Sequence, residues 1–163
     1  MLRHDFIKLY DESYDDIYRY IYFKTNSKWE TDDLVSEIFK RAYEKFDTVT
    51  GNYRAWLFTI ARNSVIDYYR KKNIFYTTED INDYVDSNNI EDNLVKKDLI
   101  EYLKKSLESL PMDEMEIIML RYFYNMKFKD ISKITGKNKD FLKTKASRIL
   151  KKLRILVKKH MEG

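Results

Sequence analysis

Chain breakers are nearly absent from this sequence, and their scarcity limits the fold more than any other feature. Three glycines and one proline serve 163 residues, whereas an all-β chain needs turn residues every ~8–12 positions. The expected class is therefore all-α. Hydrophobic residues make up 44% of the chain, enough for a packed core and too many for compositional disorder. The absence of cysteine removes disulfides, thiolate catalysis and cysteine metal sites together, and fits a reducing cytoplasm. Asp5, Lys8, Asp11 and Glu12 interrupt any apolar leader, and nowhere do about 18 apolar residues run together. A soluble, cytoplasmic protein without membrane insertion is expected.

Helical periodicity divides the chain. Phe6, Leu9, Tyr10, Ile17, Tyr20 and Ile21 predict a helix over 5–24, and Thr25 to Lys28 a polar break. A second helix is expected over 29–46, with Leu34, Val35, Ile38, Phe39, Ala42 and Phe46 inward and Thr31 capping ahead of Asp32 and Asp33. After a loop over 47–52 comes Tyr53 to Lys72. Here Trp56, Leu57, Ile60, Ala61 and Ser64 form an inward stripe, and Arg62, Asn63, Arg70, Lys71 and Lys72 bring donors and positive charge. Asp67 is the only acid in those twenty residues. Rings that can stack on bases, set beside cations that can hold phosphates, suit single-stranded nucleic acid. An ordinary amphipathic helix with a basic end would look the same.

Charge is distributed unevenly. The net is +1 over 1–72, −6 over 73–93 and +9 over 94–163. Two small helical domains joined by a flexible acidic linker are expected, the basic one suited to a polyanion. Phe75, Tyr76 and Tyr84 leave room for short docked segments within the linker. Beyond it, Leu99, Leu103, Leu107 and Leu110 predict one helix face, Pro111 ends it, and Asp113 with Glu116 has capping-box spacing. Met115, Ile118, Met119 and Tyr122 continue the apolar pattern. Phe128 to Thr135, a stop at Gly136, a cap at Asn138 and a long last helix have the layout of a helix-turn-helix. In that last helix Leu142, Ala146, Ile149, Leu150, Leu153, Leu156 and Val157 share a core face. Asp140, Thr144, Ser147, Arg148 and Lys151 fall opposite, where long cations and small hydroxyls suit phosphates and base edges.

Catalytic signals are missing. His4 and His160 lie at opposite ends, and no phosphate loop or nucleophile elbow is visible. Asp32, Asp33 and Glu37 sit where a helix start collects acids for dipole reasons alone. No catalytic residue, metal, cofactor or small-molecule substrate is expected.

Three stretches together resemble a known family. They are Asp32-Asp33-Leu34-Val35-Ser36-Glu37-Ile38-Phe39-Lys40-Arg41-Ala42, then Arg54 to Asn63 with Asp67, Tyr68 and Arg70, and finally Leu107 to Pro111 with Leu120-Arg121-Tyr122 ahead of the helix-turn-helix. The chain is similar along most of its length to the extracytoplasmic function (ECF) group of bacterial RNA polymerase sigma factors, in the sigma-70 family. The resemblance implies a region 2-like domain over 1–72, a linker over 73–93 and a region 4-like domain over 94–163. It implies that Asp32, Asp33, Leu34, Glu37 and Phe39 bind core RNA polymerase at the β′ clamp, and that the linker runs towards the RNA exit region near the β subunit. Asn52, Tyr53, Arg54, Arg62, Asn63, Arg70 and Lys71 would meet the −10 element, and Lys139, Asp140, Lys143, Thr144, Ser147, Arg148 and Lys151 the −35 element. The partners implied are core polymerase, promoter DNA and an anti-sigma factor. Three positions depart from the family pattern: Ser36 stands where Gln is common, Phe141 where Thr is usual and Lys145 where Arg is usual. The competing reading is a stand-alone helix-turn-helix regulator.

Overall fold

A computed structural model of the protein describes residues 2–72 and 94–162, so the expected acidic linker over 73–93 lies outside the described residues. All regular elements among the described residues are helical: α1 (Leu2–Thr25), α2 (Lys28–Lys45), a 3₁₀ turn (Phe46–Thr48), α3 (Tyr53–Lys72), α4 (Leu94–Glu108), α5 (Met112–Ile118), a π turn (Met119–Phe123), α6 (Phe128–Thr135) and α7 (Lys139–Glu162). The described residues divide into two compact units, residues 2–72 with 129–136 and residues 94–128 with 137–162.

In the first unit α1, α2 and α3 pack against one another. Ile17, Tyr20 and Ile21 from α1, Ile38 and Ala42 from α2, and Leu57, Phe58 and Ala61 from α3 are wholly buried. Each large apolar side chain so buried contributes about 1.5–3 kcal/mol relative to exposure. Tyr20 meets Phe58 edge to face at 5.3 Å, and Phe46 holds Phe6 at 5.5 Å and Tyr53 at 4.9 Å. The turn from α1 to α2 has Asn26 at φ 57. Ser27, and not Thr31, caps α2, its Oγ accepting from the Glu30 N–H at 3.3 Å. Thr31 is buried a turn further in, its Oγ1 2.8 Å from that of Thr25. The expected cap failed because the helix starts one turn earlier, where Ser27 meets an extended backbone.

The inward stripe of α3 is also rotated from expectation. Leu57, Phe58, Ala61, Ser64, Val65 and Tyr69 are buried, while Trp56 and Ile60 sit at the margin. Two neighbouring helices, and not one, receive α3, so the buried arc widens to take in Phe58 and Val65.

In the second unit α4 and α5 each pack on α7. Leu142, Ala146, Ile149 and Leu153 are the buried residues of α7; Leu150 is exposed, and Leu156 and Val157 are half-buried. The expected leucine face of α4 is buried only towards its C-terminal end. Leu99 and Leu103 are 52% and 42% exposed and Leu107 is half-buried, whereas Leu110 is buried and so, unexpectedly, is Ser106. Ser106 is tolerated inside because its hydroxyl donates to the Tyr102 carbonyl at 2.8 Å. The expected Asp113 cap is absent too. Pro111 occupies the N-cap position of α5 without a side-chain bond, and Asp113 lies within the first turn. At the π turn the Tyr124 N–H reaches the Met119 carbonyl at 2.9 Å. The inserted residue turns Tyr122 and Phe123 outward and buries Tyr124.

Partial burial raises the pKa of Glu108 above its ordinary value, against the opposing pull of Lys104 and Lys105. A folded pKa above the unfolded one favours folding below the ordinary carboxylate pKa, and that advantage is lost as pH rises through the folded value. Glu108→Gln should therefore be more stable than the parent at neutral pH. In urea titrations the difference should shrink as the pH is lowered through the carboxylate range.

Candidate nucleic-acid interface

The first candidate surface is the outer side of α2. Asp32, Asp33 and Glu37 are exposed there. Asp32 Oδ1 accepts from the Tyr18 hydroxyl at 3.1 Å. Burial first, and then that bond to a carboxylate, raise the Tyr18 pKa. Glu37 lies 3.0 Å from Arg41 Nε, and Arg41 Nη1 donates across to Ser64 Oγ of α3 at 3.3 Å. Asp33, Glu37 and Arg41 line one wall of a groove of about 260 Å³, with Asp67, Tyr68 and Lys71 of α3 on the other. Leu34 and Phe39 do not belong to the exposed set. Both are buried, Phe39 against the rings of Tyr10 at 4.6 Å and Tyr14 at 5.8 Å. Leu34 still lines the floor of the groove, and the outward carboxylates of α2 are Asp32, Asp33 and Glu37, with Arg41 paired to Glu37 beside them.

The second surface is built by the loop before α3 and by the outer side of that helix. Gly51 supplies φ 101, a left-handed backbone that other residues adopt only with strain. Asn52 follows, and its Oδ1 accepts from the Ala55 N–H at 3.1 Å. Asn52 is thus the N-cap of α3, a role that an Asn one residue ahead of a helix could have signalled from sequence. Tyr53 is exposed, with its ring resting on Phe46. Arg54 turns the other way: Nη2 lies 2.7 Å from Asp16 Oδ2, and the guanidinium stands 5.6 Å from the Phe58 ring centre. At about 100° per residue, Arg54 falls roughly opposite Asn63 on the helix. Asn63, Arg70 and Lys71 are exposed and Arg62 is half-buried. Asn63 and Arg70 therefore share the outward side of α3, Tyr53 and Lys71 lie on one of its flanks and Arg62 on the opposite flank, while Arg54 braces α3 on α1.

A cluster that sequence reasoning missed fastens the far end of α3. Glu30 Oε1 accepts from the Tyr68 hydroxyl at 2.8 Å and lies 3.4 Å from Lys72 Nζ, and Oε2 accepts from the Tyr69 hydroxyl at 3.3 Å. Lys72 also donates to the Tyr68 hydroxyl and lies over its ring. The bond to Tyr68 is the main cause raising the Lys72 pKa. Tyr68 and Lys72 at i, i+4 were a visible pair, but nothing local pointed to Glu30. The basic end of α3 therefore presents Arg70 and Lys71, with Lys72 engaged inside the unit.

The third surface is α7. Gly136 stops α6 at φ 75, its N–H bonded to the Ser132 carbonyl at 2.8 Å. Asn138 Oδ1 then accepts from the N–H groups of Asp140 at 2.8 Å and Phe141 at 3.3 Å, which caps α7 as expected. Arg121 braces the approach to α6, donating to the Met126 carbonyl at 2.9 Å with its guanidinium 4.5 Å from the Phe128 ring centre. Lys139, Asp140, Lys143, Thr144, Ser147, Arg148 and Lys151 are all exposed. Among the described residues no helix is long and apolar enough to cross a membrane, and no group of three or more His, Cys, Asp or Glu could hold a metal ion.

Comparison with known proteins places both halves. Residues 9–74 match the family model of sigma-70 region 2, and residues 100–153 match that of sigma-70 region 4. The RNA polymerase sigma factor SigV of Bacillus subtilis is 31% identical, the alignment covering 88% of this chain and 86% of that protein. The ECF RNA polymerase sigma factor BldN of Streptomyces coelicolor is also 31% identical over 91% of this chain, and the chain spans 58% of its length. Among solved structures, the sigma factor RpoE of Bartonella quintana, in complex with the anti-sigma factor NepR, superposes with a TM-score of 0.69 at 24% identity over 94% of this chain and 97% of that one.

The geometry gives Arg54 a structural contact within the first unit. Asp16→Asn and Arg54→Gln should each destabilise the first unit, and the double variant should lose less than the sum. The coupling expected for a pair about one-third exposed is about 0.5–1 kcal/mol, read in a urea double-mutant cycle.

Proposed function

The chain belongs to the sigma-70 family of bacterial RNA polymerase sigma factors, in its ECF group, and acts in transcription initiation; from that membership we propose a division of work among its three exposed surfaces. The observation that carries the proposal is the segregation of charge within the first unit: an acidic α2 face stands beside an α3 side bearing Asn63, Arg70 and Lys71. Asp32, Asp33 and Glu37 dock on the β′ clamp of core polymerase. Asn52, Tyr53, Arg62, Asn63, Arg70 and Lys71 meet the −10 element and hold its opened strand. Lys139, Asp140, Lys143, Thr144, Ser147, Arg148 and Lys151 lie in the major groove at the −35 element. An anti-sigma factor, such as the partner of the Bartonella structure, is the regulator this family membership implies. A cytoplasmic location follows from the same partners.

Two modest DNA contacts suffice when polymerase holds both domains at the spacing of the promoter elements, because the second contact forms at high effective concentration. Opening the duplex costs a few kcal/mol per unstacked step. Stacking on Tyr53 and phosphate contacts from Arg70 and Lys71 offset that cost. A stand-alone regulator would leave residues 9–74 without a role.

The test is run-off transcription with bacterial core polymerase and fragmented genomic DNA, followed by sequencing of the transcripts. Initiation at sites sharing two spaced elements is expected, and no initiation at any site would overturn the proposal. Asp33→Lys should lower affinity for core by at least tenfold while leaving the thermal melt unchanged, and unaltered affinity would remove α2 from the docking surface. Lys143→Gln and Arg148→Gln should each reduce the slope of log affinity against log salt on duplex DNA by about one.

A further inference from the structure

Glu114 stands in the first turn of α5, buried, with its side chain 11% exposed. A carboxylate taken that far from water needs cationic partners, and α7 provides two. Lys152 Nζ lies 3.4 Å from Oε1 and Lys145 Nζ 3.9 Å from Oε2. The two lysines are seven positions apart, about two turns, and so occupy one flank of α7. That flank separates the buried row of Leu142, Ala146, Ile149 and Leu153 from the exposed row of Thr144, Arg148 and Lys151. Arg148 lies between them, three residues beyond Lys145 and four before Lys152.

We propose that Glu114 is a positioning residue for duplex recognition: it holds Lys145 and Lys152 back against α5, which limits the number of phosphates α7 can engage and leaves discrimination to Thr144, Ser147 and Arg148. The inference rests on α7 being the helix that enters the groove. Each lysine drawn onto a phosphate adds affinity for every sequence alike and so dilutes specificity. The lysine side chains are 32% and 48% exposed, so each can swing outward once the carboxylate loses its charge. A glutamate that keeps them occupied raises the ratio of specific to non-specific binding without touching DNA.

The experiment uses the full-length chain and a mixed-sequence duplex lacking promoter elements, with fluorescence anisotropy from about 50 to 200 mM NaCl. Glu114→Gln should steepen the salt slope by about one to two and raise non-specific affinity about tenfold near 0.1 M salt. Lys145→Gln with Lys152→Gln should leave the slope unchanged in the parent, and should return it to the parental value in the Glu114→Gln background. A parental slope in folded Glu114→Gln protein, checked by circular dichroism, would overturn the proposal. So would a slope reduced by about two in the parent carrying both lysine substitutions, because the lysines would then already be on phosphates. That second comparison decides the matter even where Glu114→Gln does not fold. Lys143→Gln and Arg148→Gln serve as the reference. Unchanged slopes in both reject α7 as the DNA helix and this inference with it, whereas lowered slopes beside a parental Glu114→Gln slope reject this inference alone.

Discussion

The first unit depends on the burial of α3 against two helices at once. Leu57, Phe58 and Ala61 are completely shielded, and Val65 nearly so. One side of the helix is therefore committed to the core, and only the remaining arc can face a nucleic acid. Both ends of that arc are pinned by contacts with named partners: Arg54 to Asp16 at the start, and Tyr68, Tyr69 and Lys72 to Glu30 at the finish. A surface proposed to hold an opened strand would gain from this rigidity, since ordering a loose helix at the moment of capture would subtract from the binding energy. The loop ahead of α3 shares the constraint, with Gly51 permitting the turn and Asn52 closing it onto the helix.

Counting cations in the sequence overstated the positive charge available to DNA. Arg54, Lys72, Lys145 and Lys152 each lie within ion-pair distance of an acid of the same unit. Such pairs add little stability where water reaches them, so their main consequence is directional. They fix which way long side chains point and thereby which cations remain outward. The acids concerned, Asp16, Glu30 and Glu114, come from helices distant in sequence. No local pattern announces them.

Much of the fold was legible because its signals are local. Near-absence of breakers, apolar recurrence, the stop at Gly136 and the cap at Asn138 all act within a few residues, and α3 and α6 appear over the expected ranges. What failed was the choice of face. Leu99 and Leu103 have the hydrophobicity of core residues, yet α7 packs on the side of α4 carrying Ser106, whose hydroxyl is satisfied by its own helix. Leu34 and Phe39 were assigned to a partner from a family motif. Periodicity had already placed them inward, and that physical signal matches their burial.

The three outward surfaces differ in kind, and the difference bears on how initiation would proceed. An acidic face on α2 and basic faces on α3 and α7 cannot all prefer the same partner, so in the proposed division of work DNA alone would engage only part of the protein. Duplex DNA also repels the acidic side of the unit whose other side should hold its opened strand. Docking of Asp32, Asp33 and Glu37 on a basic surface of polymerase would neutralise that repulsion at close range, where screening by salt is weakest. Polymerase binding would then raise the affinity of the first unit for DNA electrostatically as well as by fixing distances. By linkage, bound promoter DNA would tighten the hold on polymerase by the same factor.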